Sequence, residues 1–399
     1  QVLLVGFDIG ATGVAGYLLD GRTGEQLATA SALNVQTEYG ADVIMRANYS
    51  LEHGAEELSA CIRVLLKKLI RTLCKETGKE PEDIYQVSVV GNTCMHHLFL
   101  GIVPDSLVHA PYNPAISHGL TFPAEKFRLG IHPGGQLIAL PVIAGFVGAD
   151  TVACLLAVNL EEEKKMTLMI DIGTNGEMVL ATGDHFLVSS VAAGPAFEGG
   201  NISCGMPGVP GAVCRAVLFG KNNMVTKTIG NKPAIGLCGT GIIDVMYELV
   251  RHHIVDTQGI LGEPWFEKGF PVVPGKIYFT QEDIRQVQMA KAAICAGLEV
   301  LLQKSNISHE QIKKVYVAGG FGMGLDMEKA LGIGLLPIGL RGKLTPVGNS
   351  ALEGAARCLT HSKESSDMQP QEIAAISHEI NLADTPEFQE LYLKHMQFC

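Results

Sequence analysis

Residues 2–20 read VLLVGFDIGATGVAGYLLD, and residues 166–182 read MTLMIDIGTNGEMVLAT. In both, an apolar run ends in Asp-Ile-Gly, passes two small or polar residues and resumes as a second apolar run. The copies lie too far apart for a short solenoid repeat. The pattern predicts a duplicated α/β domain with a β-hairpin at the head of each half. Two such hairpins facing each other make a nucleotide cleft. A turn containing glycine brings backbone N–H groups against phosphate oxygens without a Cβ in the way. That assigns Gly10, Ala11 and Thr12, with Gly173, Thr174 and Asn175, to phosphate. Asp8 and Asp171 close the first strand of each hairpin, where Mg²⁺ on a triphosphate is held through waters. One Asp-x-Gly turn is common and structural; two in matching strand contexts carry the reading.

Working outward, the first half reads as strands near 2–8, 13–20 and 25–32. A helix is expected over 50–76, where Leu58, Cys61, Ile62, Leu65, Leu66 and Leu69 recur at helical spacing. QVSVVGNT follows as a buried strand ending at Gly91, and MHHLFLG as a helix. Residues 104–135, rich in Pro, Gly and His, read as loops. Glu161–Lys165 is a charged break, which sets two subdomains, 1–163 and 164–399. The second half repeats the plan, with strands near 166–171, 176–182 and 185–192. A glycine-rich loop covers 194–211, strands fall near 213–219 and 224–229, and helices near 281–303, 349–359 and 385–396. The small-residue helix NSALEGAARCL (349–359) is expected to pack back toward the cleft.

Three further stretches bear on chemistry. VAGGFG (317–322) ends a buried strand in Gly319-Gly320-Phe321, where a flat ring can lie against backbone. It is not a dinucleotide fingerprint, because position 325 is Leu, and no Gly-Lys pair is followed by Ser or Thr as a P-loop demands. Gly239-Thr240-Gly241 opens a helix, either as an ordinary N-cap region or as a nucleotide contact. Glu198, inside GPAFEGG, is either a polar ligand or an acid complementing a helix start. The adjacent pairs His96–His97 and His252–His253 cannot each face one metal from a helix, so a structural or surface role is assigned.

Composition narrows the classes. The net charge of −11 argues against a nucleic-acid partner, though not against ATP. With 47% hydrophobic residues among 399, large cores are available. None of the ten cysteines forms a C-x-x-C pair, so no zinc or iron–sulfur run is read, and reduced thiols in a cytoplasmic protein are expected. The apolar stretch Gln136–Leu160 contains Pro141, Gly145, Gly148 and Asp150, which suits a buried strand turning into a helix rather than a membrane span. The chain has no signal peptide and begins with Gln, so an N-terminal part is expected to be missing.

The order of hairpin, VVGNT helix, second hairpin, VAGGFG turn and GNSALEGA helix resembles the superfamily of actin, the heat-shock chaperone ATPases and the acetate and sugar kinases. By that resemblance the fold is a duplicated ribonuclease H-like (actin-like ATPase) fold, with phosphate 1 at Asp8–Thr12 and phosphate 2 at Asp171–Asn175. Connect 1 then falls at Val89–Leu100, the adenosine motif at Val317–Gly322, and connect 2 at Asn349–Cys358. Over nearly the whole chain, DIGTNGEMVL, AGPAFEGGNISCGM, GLCGTGIID and VGNSALEGA look specifically like the reductive activators of corrinoid proteins. The resemblance implies an ATPase with Mg that binds a corrinoid protein and drives cobalt(II) to cobalt(I), as a homodimer. Family members carry a ferredoxin-like iron–sulfur domain; its cysteine run is absent here, so this chain is expected to lack the cluster. The alternatives are a small-molecule kinase with Glu198 as candidate base, and an assembly protein switched by nucleotide.

Overall fold

The computed structural model describes residues 2–160, 166–320, 324–360, 368–382 and 385–398. The chain divides into two compact units, each with its own core.

The first unit opens with β1 (Leu3–Ile9), β2 (Gly13–Asp20) and β3 (Gln26–Leu33). Next come α1 (Val43–His53), α2 (Glu56–Thr77), β4 (Ile84–Gly91), α3 (Thr93–Leu100) and α4 (Asp105–Val108). β5 (Leu120–Pro123), β6 (Gln136–Ala139) and α5 (Ala149–Val158) follow. Its sheet runs in the order β3-β2-β1-β4-β6-β5. β1 pairs antiparallel with β2 and parallel with β4, so it is central and covered on both faces; only Asp8 of its seven residues is not fully buried. α2 lays Leu58, Ile62, Leu65, Leu66, Leu69, Ile70 and Leu73 into the core at helical spacing.

Two expectations need correction. The single helix over 50–76 is two, because Gly54 ends α1 and α2 begins afresh after Ala55. The region 104–135 is not all loop: it holds α4 and β5, the latter paired with β6. The stretch Gln136–Leu160 is the strand and helix expected, and no described helix is long and apolar enough to cross a membrane.

The units do not follow a single cut at 163/164. The helix Ser350–Thr360 belongs to the first unit. Its small residues let three backbones approach closely. Ser88 of β4 donates from Oγ to the Ala355 carbonyl at 2.6 Å. A Cβ on Gly6 would meet the Ala356 nitrogen at 2.9 Å. Gly354 lies so close to α5 that a Cβ would overlap the Ala153 carbonyl oxygen.

The second unit begins with β7 (Thr167–Ile172), β8 (Asn175–Ala181) and β9 (Phe186–Ala192). A smaller sheet of β10 (Ala212–Phe219), β11 (Asn223–Thr228) and β12 (Gly236–Leu237) leads into α6 (Gly239–Arg251). The hairpin β13 (Phe270–Val273)–β14 (Ile277–Phe279) precedes α7 (Gln281–Lys304), then β15 (Lys314–Gly319), α8 (Met327–Gly332) and β16 (Leu344–Gly348). The main sheet runs β16-β15-β7-β8-β9. β12 is short and pairs with β10 only at Ala212 and Val213. Beyond its end α6 supplies the missing acceptors: Asp244 and Glu248, one turn apart, accept from the N–H groups of Ala216 and Leu218 at 3.0 and 3.1 Å. Lys329 of α8 stands 2.9 Å from Asp244, a charge that offsets the cost of burying the carboxylate.

Candidate functional site

In the first unit, the turn joining β1 to β2 is Gly10-Ala11-Thr12. It is fixed by a residue the sequence did not single out. Asn34, completely buried, donates from its side chain to the Gly10 carbonyl at 2.8 Å and from its backbone to the Thr12 carbonyl at 2.9 Å. In a trans peptide the C=O and the next N–H point in opposite directions. Holding these two carbonyls inward therefore turns the N–H groups of Ala11 and Gly13 away from Asn34, the orientation an anion cradle needs. Asp8 is half-buried and lies beside Val90 in the parallel β1–β4 register. The connect 1 segment continues from Gly91 into α3, capped by Asn92, whose Oδ1 accepts from the Met95 N–H at 2.9 Å.

In the second unit, the corresponding turn draws several sequence-chosen residues together. The Gly194 N–H donates to the Thr174 carbonyl at 2.8 Å, which turns the Asn175 N–H the other way. The Gly173 N–H is used within the turn, on the Asn175 carbonyl at 2.9 Å. The Thr174 hydroxyl donates to the Glu198 carboxylate, whose other oxygen lies 3.6 Å from where a Gly173 Cβ would stand. Glu198 closes the short turn Pro195–Glu198, so its carboxylate is held over the hairpin. Asp171 is half-buried at the end of β7. Directly across the β7–β8 register sits Glu177, 7% exposed, on the same face. Sequence reading missed Glu177, because its place opposite Asp171 follows only once the register is known. The first hairpin has Ala15 at the matching position.

β15 lies alongside β7, with Ala318 opposite Asp171 and Gly319 opposite Ile172. Gly320 follows, with open space where a side chain would project. Phe321 lies outside the described residues. The N-cap of α6 is Cys238, so Thr240 is not the cap; it is buried in the first turn with its hydroxyl 3.4 Å from Cys238 Sγ. Gly241 must be glycine, since a Cβ there would overlap the Val213 carbonyl oxygen. Thr240 lies 3.7 Å from the Cβ position of Gly324, which places the start of α6 beside the loop after β15.

His97 of α3 is held in place by backbone groups on both ring nitrogens. His97 Nδ1 donates to the Thr93 carbonyl at 2.7 Å, and Nε2 accepts from Ala115 N–H at 3.0 Å, so the ring is neutral. Burial pushes His96 down to about 4.

Residues 165–399 match the family model described as the C-terminal domain of RACo, the ASKHA domain, and residues 3–163 match the RACo middle region. The chain belongs to the RACo family. Among its relatives is the corrinoid activation enzyme RamQ of Eubacterium limosum, 35% identical over 99% of this chain and 70% of that one. Another is the [Co(II) methylated amine-specific corrinoid protein] reductase of Methanosarcina barkeri, 24% identical over 99% of this chain and 76% of that one. Among solved structures, a reductive activator for corrinoid, iron–sulfur protein superposes with a TM-score of 0.94 at 35% identity. It covers 100% of this chain, which spans 66% of that one. The RACo assignment agrees with the fold read from the two hairpins: an α/β chain with an actin-like ATPase domain. The family is one of corrinoid activation enzymes.

Proposed function

We propose that this chain is the ATP-hydrolysing part of a reductive activator. It binds a corrinoid protein, and ATP hydrolysis drives that partner's cobalt(II) toward cobalt(I). The observation that carries the reading is the duplicated Asp-Ile-Gly hairpin, each copy with its turn carbonyls tied down. Each hairpin by itself fits a magnesium nucleotide: Asp8 in the first unit and Asp171 in the second offer hard oxygen ligands, directly or through water. The N–H groups of Ala11, Gly13 and Asn175, turned outward, offer donors to phosphate oxygens. Gly319 and Gly320 present bare backbone to the adenosine, and Thr240 of α6 lies beside Gly324. Bound Mg²⁺ neutralises charge on the phosphates. Glu198 holds the Thr174 hydroxyl and with it the shape of the turn; Asp171 positions the attacking water. The same reading makes the protein a cytoplasmic homodimer.

The test is ATP hydrolysis by the purified chain with and without a cobalt(II) corrinoid protein. Partner-stimulated turnover is expected. ATP binding with no response to any corrinoid protein would overturn the activator reading and leave the fold.

Asn34→Ala checks the first hairpin. It strips partners from the part-buried Gly10 carbonyl and the buried Gln36 N–H, a loss of about 1–3 kcal/mol. Because the turn is then less well held, the KM for ATP should rise about tenfold while kcat changes less. An unchanged KM would show that the turn keeps its shape without the side chain.

A further inference from the structure

The geometry points to a divalent transition-metal site, of the kind zinc takes, formed by Cys295, Glu299 and His395 in the second unit. Cys295 and Glu299 are one turn apart on α7 and share a face. His395 ends the helix Pro386–His395, which packs on α7. One donor atom from each of the three lies within 4.8 Å of the others, and His395 Nε2 is 3.1 Å from Glu299 Oε2. Donors around a tetrahedral zinc stand roughly 3.3–3.8 Å apart, given bonds of about 2.0–2.3 Å. Closing this cluster onto an ion therefore takes about 1 Å of side-chain movement.

The donor set is selective. A thiolate, an imidazole and a carboxylate suit zinc and its borderline neighbours and do not suit Mg²⁺ or Ca²⁺. Cys295 is buried, whereas the Glu299 and His395 side chains are each 18% exposed, which leaves room for water as a fourth ligand. The imidazole is held over α7 before any metal arrives. Lys291, one turn before Cys295 and fully buried, donates to the carbonyls of His395 and Gln397 at 2.6 and 2.7 Å. Gln288 donates to the Met396 carbonyl at 2.8 Å. Lys291 and Lys394 are cationic side chains near the cluster that oppose a metal ion, and the two carbonyls that Lys291 meets offset part of its charge. A bound ion would clip the C-terminal helix to α7.

The experiment uses the full chain freed of metal with a chelator. Zinc is titrated in competition with a chromophoric chelator, and Co²⁺ serves as a spectroscopic stand-in. One zinc per chain is expected, with a thiolate-to-cobalt band in the near ultraviolet. Cys295→Ser should remove that band, and Glu299→Gln or His395→Gln should weaken zinc binding at least tenfold. Cys204→Ser, outside the cluster, should keep both. Absence of stoichiometric zinc binding, or a cobalt band that survives Cys295→Ser, overturns the site. Glu299→Gln alters a partly exposed position, so the test stands even if the cysteine variant folds poorly.

Discussion

Asp171→Asn is expected to lower ATP turnover about 100-fold or more, the loss that follows removal of one preorganised electrostatic contact at a reacting centre. The substitution keeps the shape and removes the charge. Asp171 is placed for this role by two neighbours at once. β15 flanks it on one side with Ala318, and β8 sets Glu177 across from it on the other. The strand end is therefore held by a main-chain ladder whichever side chain it carries, and the melting temperature should fall by only a few degrees. Measuring kcat and thermal unfolding on the same preparation separates the two effects. Turnover within a factor of about three of the parent would remove Asp171 from the chemistry, and with it the strongest argument for hydrolysis by this chain.

Gly354→Val should have the largest effect on stability. The helix Ser350–Thr360 and α5 meet backbone to backbone, and the Cβ of any residue at 354 would overlap the Ala153 carbonyl. That carbonyl belongs to a helix whose residues Ala149 and Thr151–Leu156 are all buried, so it has nowhere to move. Overpacking a closed interior costs about 1–3 kcal/mol, and here backbone rather than a side-chain tip must yield, so the upper end is expected. Domain stabilities are about 5–15 kcal/mol. Thermal unfolding should show a component at lower temperature, and hydrogen exchange should quicken in α5 and in the helix carrying residue 354. A melting profile matching the parent would mean that the two helices separate at no cost.

How much of this was legible beforehand follows from where each signal lives. The hairpins were readable because their information is local: an apolar run, Asp-Ile-Gly, a short polar turn, a second apolar run. The division of 50–76 into two helices was not, because Gly54 interrupts a hydrophobic period that continues on both sides of it. Within the site, Thr174 and Glu198 lie 24 residues apart, yet each could be nominated from its own glycine-rich stretch; their hydrogen bond could not. Asn34 reads locally as no more than the cap of a short turn, since its importance rests on a carbonyl 24 residues away. Glu177 is similar: in the sequence it is one acid in a strand, and only the pairing of β7 with β8 sets it against Asp171.

The return of residues 350–360 to the first unit has a consequence for any attempt to take the protein apart. The family models divide the chain near residue 164, but the folding units do not. A recombinant piece ending there would lack the helix that covers Gly6, Ser88 and Ala153, and would expose Leu4 and Leu19, which pack against Ala356 and Leu359. The complementary piece would carry that helix as an unpartnered apolar segment. Neither half is a self-sufficient expression unit. During synthesis the first unit must wait, with that face uncovered, until about 190 further residues have left the ribosome.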